Sequence, residues 1–196
     1  MARRRLVSWS VLGVVLLVQA ACGGGDEDAA PAPSVSPTTT APAATVASAP
    51  PTTATPPTTV PPPEGVETFT VIGGHSPDPI VYPQIPPVGG IHNPTWQTCT
   101  FYDRPVSSEA AVHSLEHGAI WVTYRPDLPA DQLDVLARFA RSRASVLVSR
   151  WDNGLPAPVV VSSWDRRLKL ESAIDPRLVQ FYQAFTGKAP EPDAPC

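Results

Sequence analysis

The sequence predicts an α+β fold: a single small domain, a mostly antiparallel sheet with two or three helices, and a long ordered proline-rich loop. Three observations predict it. Short runs at 66–72, 119–124, 145–151 and 158–164 alternate or are rich in Val, Ile, Thr and Trp, as half-buried or core strands do. Runs at 107–117, 130–143 and 175–187 carry apolar residues at helical spacing between start and stop signals. Between the first strand and the first helix, 82–96 holds Pro83, Pro86, Pro87 and Pro94 with Gly89 and Gly90. So many fixed φ angles and missing amide donors suit neither helix nor ordinary strand.

The ends of the folded part are set by composition. Residues 22–64 form a linker: from Gly23 to Glu64 it has 11 of the chain's 26 prolines, otherwise mostly Ala, Thr, Val and Ser, and no aromatic residue. Such a segment cannot offset the entropy of folding and reads as a disordered, semi-rigid spacer. From Gly65 to Cys196 about 130 residues remain, an ordinary domain size. Val66–Ile72 is the first expected strand, ended by Gly73-Gly74-His75. After the proline-rich loop, Ser107 or Ser108 caps a short helix with Glu109 in its first turn, and Gly118 stops it. Ala119–Tyr124 is a core strand and Arg125–Pro129 a turn. Ala130–Arg143 is an amphipathic helix on Leu133, Leu136, Ala137 and Ala140. Ser145–Trp151 and Pro158–Trp164 are expected to pair as a hairpin around Asp152-Asn153-Gly154, with Asp165–Leu170 extending it. Asp175 caps the last helix with Pro176 at its first position. Leu178, Phe181, Tyr182 and Phe185 face the core, and Gly187 ends the helix. The tail 189–196 is loose unless tied.

All four histidines fall between positions 75 and 117. His113 and His117 are four apart on the first helix, hence on one face with Cβ atoms roughly 5–6 Å apart. Two imidazoles so placed can converge on one ion, at about 2.0–2.1 Å each for zinc. Glu116 between them is a candidate second-shell acceptor, third ligand or general base. His75 and His92 lie near the two ends of the proline-rich stretch and complete the candidate metal set His75, His92, His113 and His117. Tyr82 and Trp96 are candidate pocket walls, or pins that hold the loop to the core. A hydrogen-bonded His–Glu cluster without metal is the competing reading. His113-Ser-Leu-Glu-His117 also fits the inverted zinc-protease pattern, with Glu171 as an available distant ligand.

The chain opens Met1-Ala-Arg-Arg-Arg, continues apolar from Leu6 to Ala21 and reaches Gln19-Ala20-Ala21-Cys22. Residues 1–21 read as a secretory signal. The Cys directly after small residues resembles a bacterial lipoprotein signal, although Gln19 stands where an aliphatic residue is usual. That resemblance implies lipidation of Cys22, a membrane-anchored protein and an extracytoplasmic location at the cell membrane. Loss of Arg3, Arg4 and Arg5 moves the formal charge from −4 to −7. In an oxidising compartment Cys99 and Cys196 are the default disulfide. The alternative makes Cys99 a thiolate ligand beside imidazoles.

Tyr82-Pro-Gln-Ile-Pro-Pro-Val-Gly-Gly-Ile-His-Asn-Pro94, Trp96, Cys99 and Val112-His-Ser-Leu-Glu-His-Gly-Ala-Ile-Trp-Val-Thr-Tyr-Arg-Pro-Asp-Leu128 together resemble the bacterial domain-of-unknown-function 3105 family, over about Glu67 to Pro192. Gly89 and Thr100 depart from that family's usual Ser and Gly, and neither removes a candidate ligand. The resemblance implies an envelope-exposed domain and no particular activity.

Three functions remain. The first is a His-based module that binds a divalent ion, zinc or copper, and is not an enzyme. The second is a metal-free envelope protein with a structural or interaction role and an unnamed protein partner. The third is a metal-dependent hydrolase. The acidic mature chain has no basic stripe with interleaved aromatics, which disfavours nucleic-acid binding. Met1 is the chain's single Met, which argues against a Met-rich copper(I) carrier.

Overall fold

The computed structural model describes residues 60–152, 154–192, 194 and 196. The expected signal (1–21), Cys22 and the linker as far as residue 59 lie outside the described residues. Among the described residues no helix is long and apolar enough to cross a membrane. The elements in chain order are β1 (Glu67–Thr68), β2 (Gly74–His75), β3 (Ile91–His92), α1 (Ser108–Glu116), β4 (Ile120–Tyr124), α2 (Ala130–Arg141), β5 (Val146–Arg150), β6 (Val159–Ser163), β7 (Arg166–Leu170) and α3 (Arg177–Phe185).

Five strands form one sheet in the order β1-β7-β6-β4-β5, antiparallel throughout except for the parallel pair β4 and β5. The fold is thus α+β with a mostly antiparallel sheet and three helices. β4 is an interior strand between β6 and β5, and all five of its residues are buried. Alternation along it divides the core. Ile120, Val122 and Tyr124 face one side with Leu136 and Phe139 of α2 and Leu178, Phe181 and Phe185 of α3. Trp121 faces the other, with Leu147 and with Ala111, Val112 and Leu115 of α1. Each of these large apolar side chains contributes on the order of 1.5–3 kcal/mol when fully buried. The sheet therefore holds α2 and α3 on one face and offers α1 the opposite face.

The expected hairpin between the third and fourth strands does not form. α2 carries the chain from β4 across to a parallel neighbour, so β5 lies at the sheet edge on one side of β4. The connection from Trp151 to Pro158 passes the end of β4, where the Arg125 guanidinium donates to the Leu155 carbonyl and the Arg125 amide to that of Pro158. β6 then pairs with β4 from the other side. The hairpin is β6–β7, turned by Trp164-Asp165 with Asp165 at φ 60°. The first strand is also shorter than the sequence suggests. Glu67 and Thr68 pair with Arg167 and Arg166, and the Phe69 amide donates to the Asp165 carbonyl. At that turn the partner strand runs out.

Helix α1 follows its signals. The Ser107 hydroxyl accepts from the Ala110 amide. At the other end Gly118 takes φ 87°, its amide donates to the Leu115 carbonyl, and the Ala119 amide donates to that of Ser114. These are the two bonds of a Schellman stop. A Cβ on Gly118 would sit 2.7 Å from Cα of Gly187, whose amide donates to the Gly118 carbonyl. The ends of α1 and α3 are joined there by backbone contact. For α3, the Asp175 carboxylate accepts from the Arg177 amide, while Pro176 already has helical angles.

Candidate metal centre

Two short elements bring the distant histidines to α1. β2 and β3 pair in parallel with His75 opposite His92. The segment after β3 is fastened along α1: the Asn93 amide donates to the Glu109 carbonyl, and the Gln97 amide to both the Ala110 carbonyl and the Ser114 hydroxyl. The Ser114 hydroxyl in turn donates to the Gln97 carbonyl. With Ala111, Val112 and Leu115 committed to the core, His113 and Glu116 are presented to the β2–β3 pair.

One donor atom from each of His75, His92, His113 and Glu116 lies within 4.8 Å of the other three. Glu116 Oε2 is 2.9 Å from His92 Nε2 and 3.7 Å from His75 Nε2. The His92, His113 and Glu116 side chains are buried, whereas His75 exposes 46% of its own. The far nitrogens of two rings are fixed from behind. His92 Nδ1 donates to the Gly90 carbonyl at 2.8 Å and His113 Nδ1 to the Asn93 carbonyl at 2.7 Å. A carbonyl only accepts, so in the neutral ring each Nε2 carries the lone pair, which is aimed inward. Outer-shell bonds of this kind set the tautomer of ligating histidines. His92 Nε2 and Glu116 Oε2 are both buried and, apart from each other, have no hydrogen-bond partner among the described residues. Burial lowers the pKa of His113, and the neighbouring His117, His92 and His75 act in the same direction, against the Asn93 carbonyl. The ring is thereby held in the neutral form that binds metals.

Of the three roles open to Glu116, the geometry matches that of a ligand: it stands among the converging donors. The role of His117 differs from the expected one. His117 stands outside that group: its Nε2 is 3.0 Å from His113 Nε2 and 4.0 Å from Glu191 Oε2. Sharing a helix face with His113 brings His117 to that ring, while β2 and β3 approach from the side where Glu116 points. Trp96 lies over both helix histidines, with ring centroids 6.1 Å from His113 and 5.8 Å from His117. Tyr82 braces the site from one residue away: its hydroxyl donates to the Ile91 carbonyl and its ring packs under Gly90. Burial raises its pKa, with the Glu109 charge acting in the same sense. Cys99 is at bonding distance from Cys196, with Cα atoms 5.2 Å apart, and so is not a ligand.

Sequence reasoning missed three contributors. Trp164, at the β6–β7 turn, sets its ring edge-on to His92 at 6.0 Å. Gly73 leaves room for the carboxylate, because a Cβ there would fall 2.9 Å from Glu116 Oε1. Glu191 lies on the tail, held by its amide to the Glu116 carbonyl. Only Gly73, next to the site's first histidine, carried a local signal.

The family described as "Protein of unknown function (DUF3105)" matches residues 75–196, more than half of the chain. The chain belongs to the DUF3105 family. The DUF3105 match begins at His75 and so spans the four converging donors and both paired cysteines. Among curated proteins and among solved structures nothing matches this DUF3105 chain.

Proposed function

We propose that this DUF3105 domain is an extracytoplasmic metal-binding module that holds one divalent ion through His75, His92, His113 and Glu116. The observation that carries the reading is the pair His92 Nε2 and Glu116 Oε2. Both are buried, 2.9 Å apart and without any other hydrogen bond among the described residues, and the Nδ1–H bond behind the neutral imidazole directs a lone pair, not a proton, at the carboxylate. Leaving two such atoms unsatisfied costs several kcal/mol, which a cation between them would remove. Three imidazoles and a carboxylate suit zinc, and copper(II) is the competitor. Ligands of a tetrahedral zinc lie about 3.3 Å apart, so loading would draw the wider-spaced donors together and part His92 Nε2 and Glu116 Oε2 slightly. Four protein ligands would close the site, with His75, 46% exposed, as the ligand at its solvent side. The Arg-rich start and Cys22 support a lipid tether on the outer face of the membrane, with the Pro-rich linker as spacer.

A second reading has one observation in its favour: 2.9 Å also suits a buried His92 imidazolium against the Glu116 carboxylate, with no metal. Zinc titration of the chain by calorimetry separates the two. The metal reading gives one site per chain in the native protein and none in His92→Ala; no heat of binding in the native protein supports the metal-free network. The geometry does not favour a hydrolase with Glu116 as base, because that carboxylate is occupied among the ligands.

A further inference from the structure

Outside the four converging donors stand two further groups that their coordination does not use, His117 and Glu191. They form a line with His113. Glu191 is on the tail and its side chain is 59% exposed; its Oε2 is 4.0 Å from His117 Nε2, which is 3.0 Å from His113 Nε2. His113 Nδ1 is engaged with the Asn93 carbonyl, so Nε2 is the atom His113 can offer to a metal. That atom faces both the inner group and His117. We propose that Glu191 and His117 are an exchange port for the ion, which passes between solvent and the buried site by ligand substitution at His113. This rests on the metal-binding reading above.

The chemistry follows from the distances. A divalent cation is drawn first to the exposed carboxylate. It then binds Nε2 of His117 in the tautomer whose ring proton sits on Nδ1, the proton having exchanged between the two ring nitrogens through solvent, so the ring stays neutral throughout. Two nitrogens 3.0 Å apart can share one ion, since ligands of a tetrahedral zinc lie about 3.3 Å from each other. His113 can therefore bond the incoming ion before His117 lets go, and no fully desolvated, ligand-free ion has to cross the protein. Trp96 lies against both rings and is 42% exposed, so it shields the transfer without sealing it.

The test is zinc exchange on the full chain. Zinc uptake by the apo protein and zinc loss to excess EDTA are followed by stopped flow, alongside equilibrium affinity and a circular dichroism spectrum. In His117→Ala the affinity should stay within about threefold of native, while uptake and loss both slow by at least tenfold. Glu191→Gln, on an exposed side chain, should slow uptake severalfold and keep the affinity. Unchanged rates in both variants overturn the port. A hundredfold loss of affinity in His117→Ala also overturns it, by making His117 a resident ligand. Absence of zinc binding by the native chain would instead remove the metal-binding reading itself.

Discussion

At the scale of single residues, the site depends on atoms that have been left room. Gly73 has no Cβ where one would fall 2.9 Å from Glu116 Oε1 and 3.4 Å from the Trp164 ring. Gly73→Ala is therefore expected to push the carboxylate off the three imidazoles and weaken zinc binding by about 10–100-fold, the usual effect of disturbing a ligand's support. Its melting temperature without metal should change little, since Gly73 is exposed. Calorimetry on the variant measures the first, a thermal melt with EDTA the second. The histidines were legible as ligand candidates because imidazole is a rare side chain and all four share one stretch. Their division into an inner group and His117 was not legible. That depends on which face of α1 the β2–β3 pair approaches, a contact between segments about twenty to forty residues apart.

At the scale of elements, α1 is both a core helix and the platform of the site, so its caps should matter twice. Ser107→Ala removes the acceptor of the Ala110 amide and should cost about 1 kcal/mol in urea unfolding. Gly118→Ala should cost more, on the order of 1–3 kcal/mol, because it combines a strained φ of 87° with a collision 2.7 Å from Gly187. α3 offers a pH test away from the metal centre. The Arg177 side chain holds the Asp175 carboxyl below its usual 3.8, outweighing burial, which acts the other way. A carboxyl with a depressed native pKa stabilises the fold above its unfolded value, and that contribution is lost as pH falls through the native value. The stability gap between native protein and Asp175→Ala should thus be full well above pH 3.8 and close below it, as read from urea midpoints. Helix positions were readable from local signals, because caps and periodicity are short-range. Strand partners were not. Val146–Arg150 and Val159–Ser163 look like hairpin arms beside Asp152 and Gly154, yet both pair with β4, a choice made by the α2 crossover and by Arg125 at the strand end.

At the scale of the whole molecule, the C-terminal tail closes the structure back onto its site. Cys196 reaches Cys99 over 97 residues, the Gly187 amide meets the Gly118 carbonyl, and the Glu191 amide meets that of Glu116. Cys99→Ser should lower stability by up to about 4–5 kcal/mol in the chain-entropy picture. It should leave the four inner donors in place, so zinc stoichiometry by calorimetry should hold below the melting temperature. Whether the buried cluster of His75, His92, His113 and Glu116 holds a metal is read by mass-spectrometric metal analysis of the chain purified without a histidine tag, with melting temperature measured before and after EDTA. A metal site gives close to one zinc or copper per chain, its loss in His92→Ala, and a lower melting temperature after chelation, since a ligand at a hundred times its dissociation constant adds about 2.7 kcal/mol. A metal-free chain that takes up neither ion on dialysis, and melts identically with and without EDTA, would contradict the metal-binding reading.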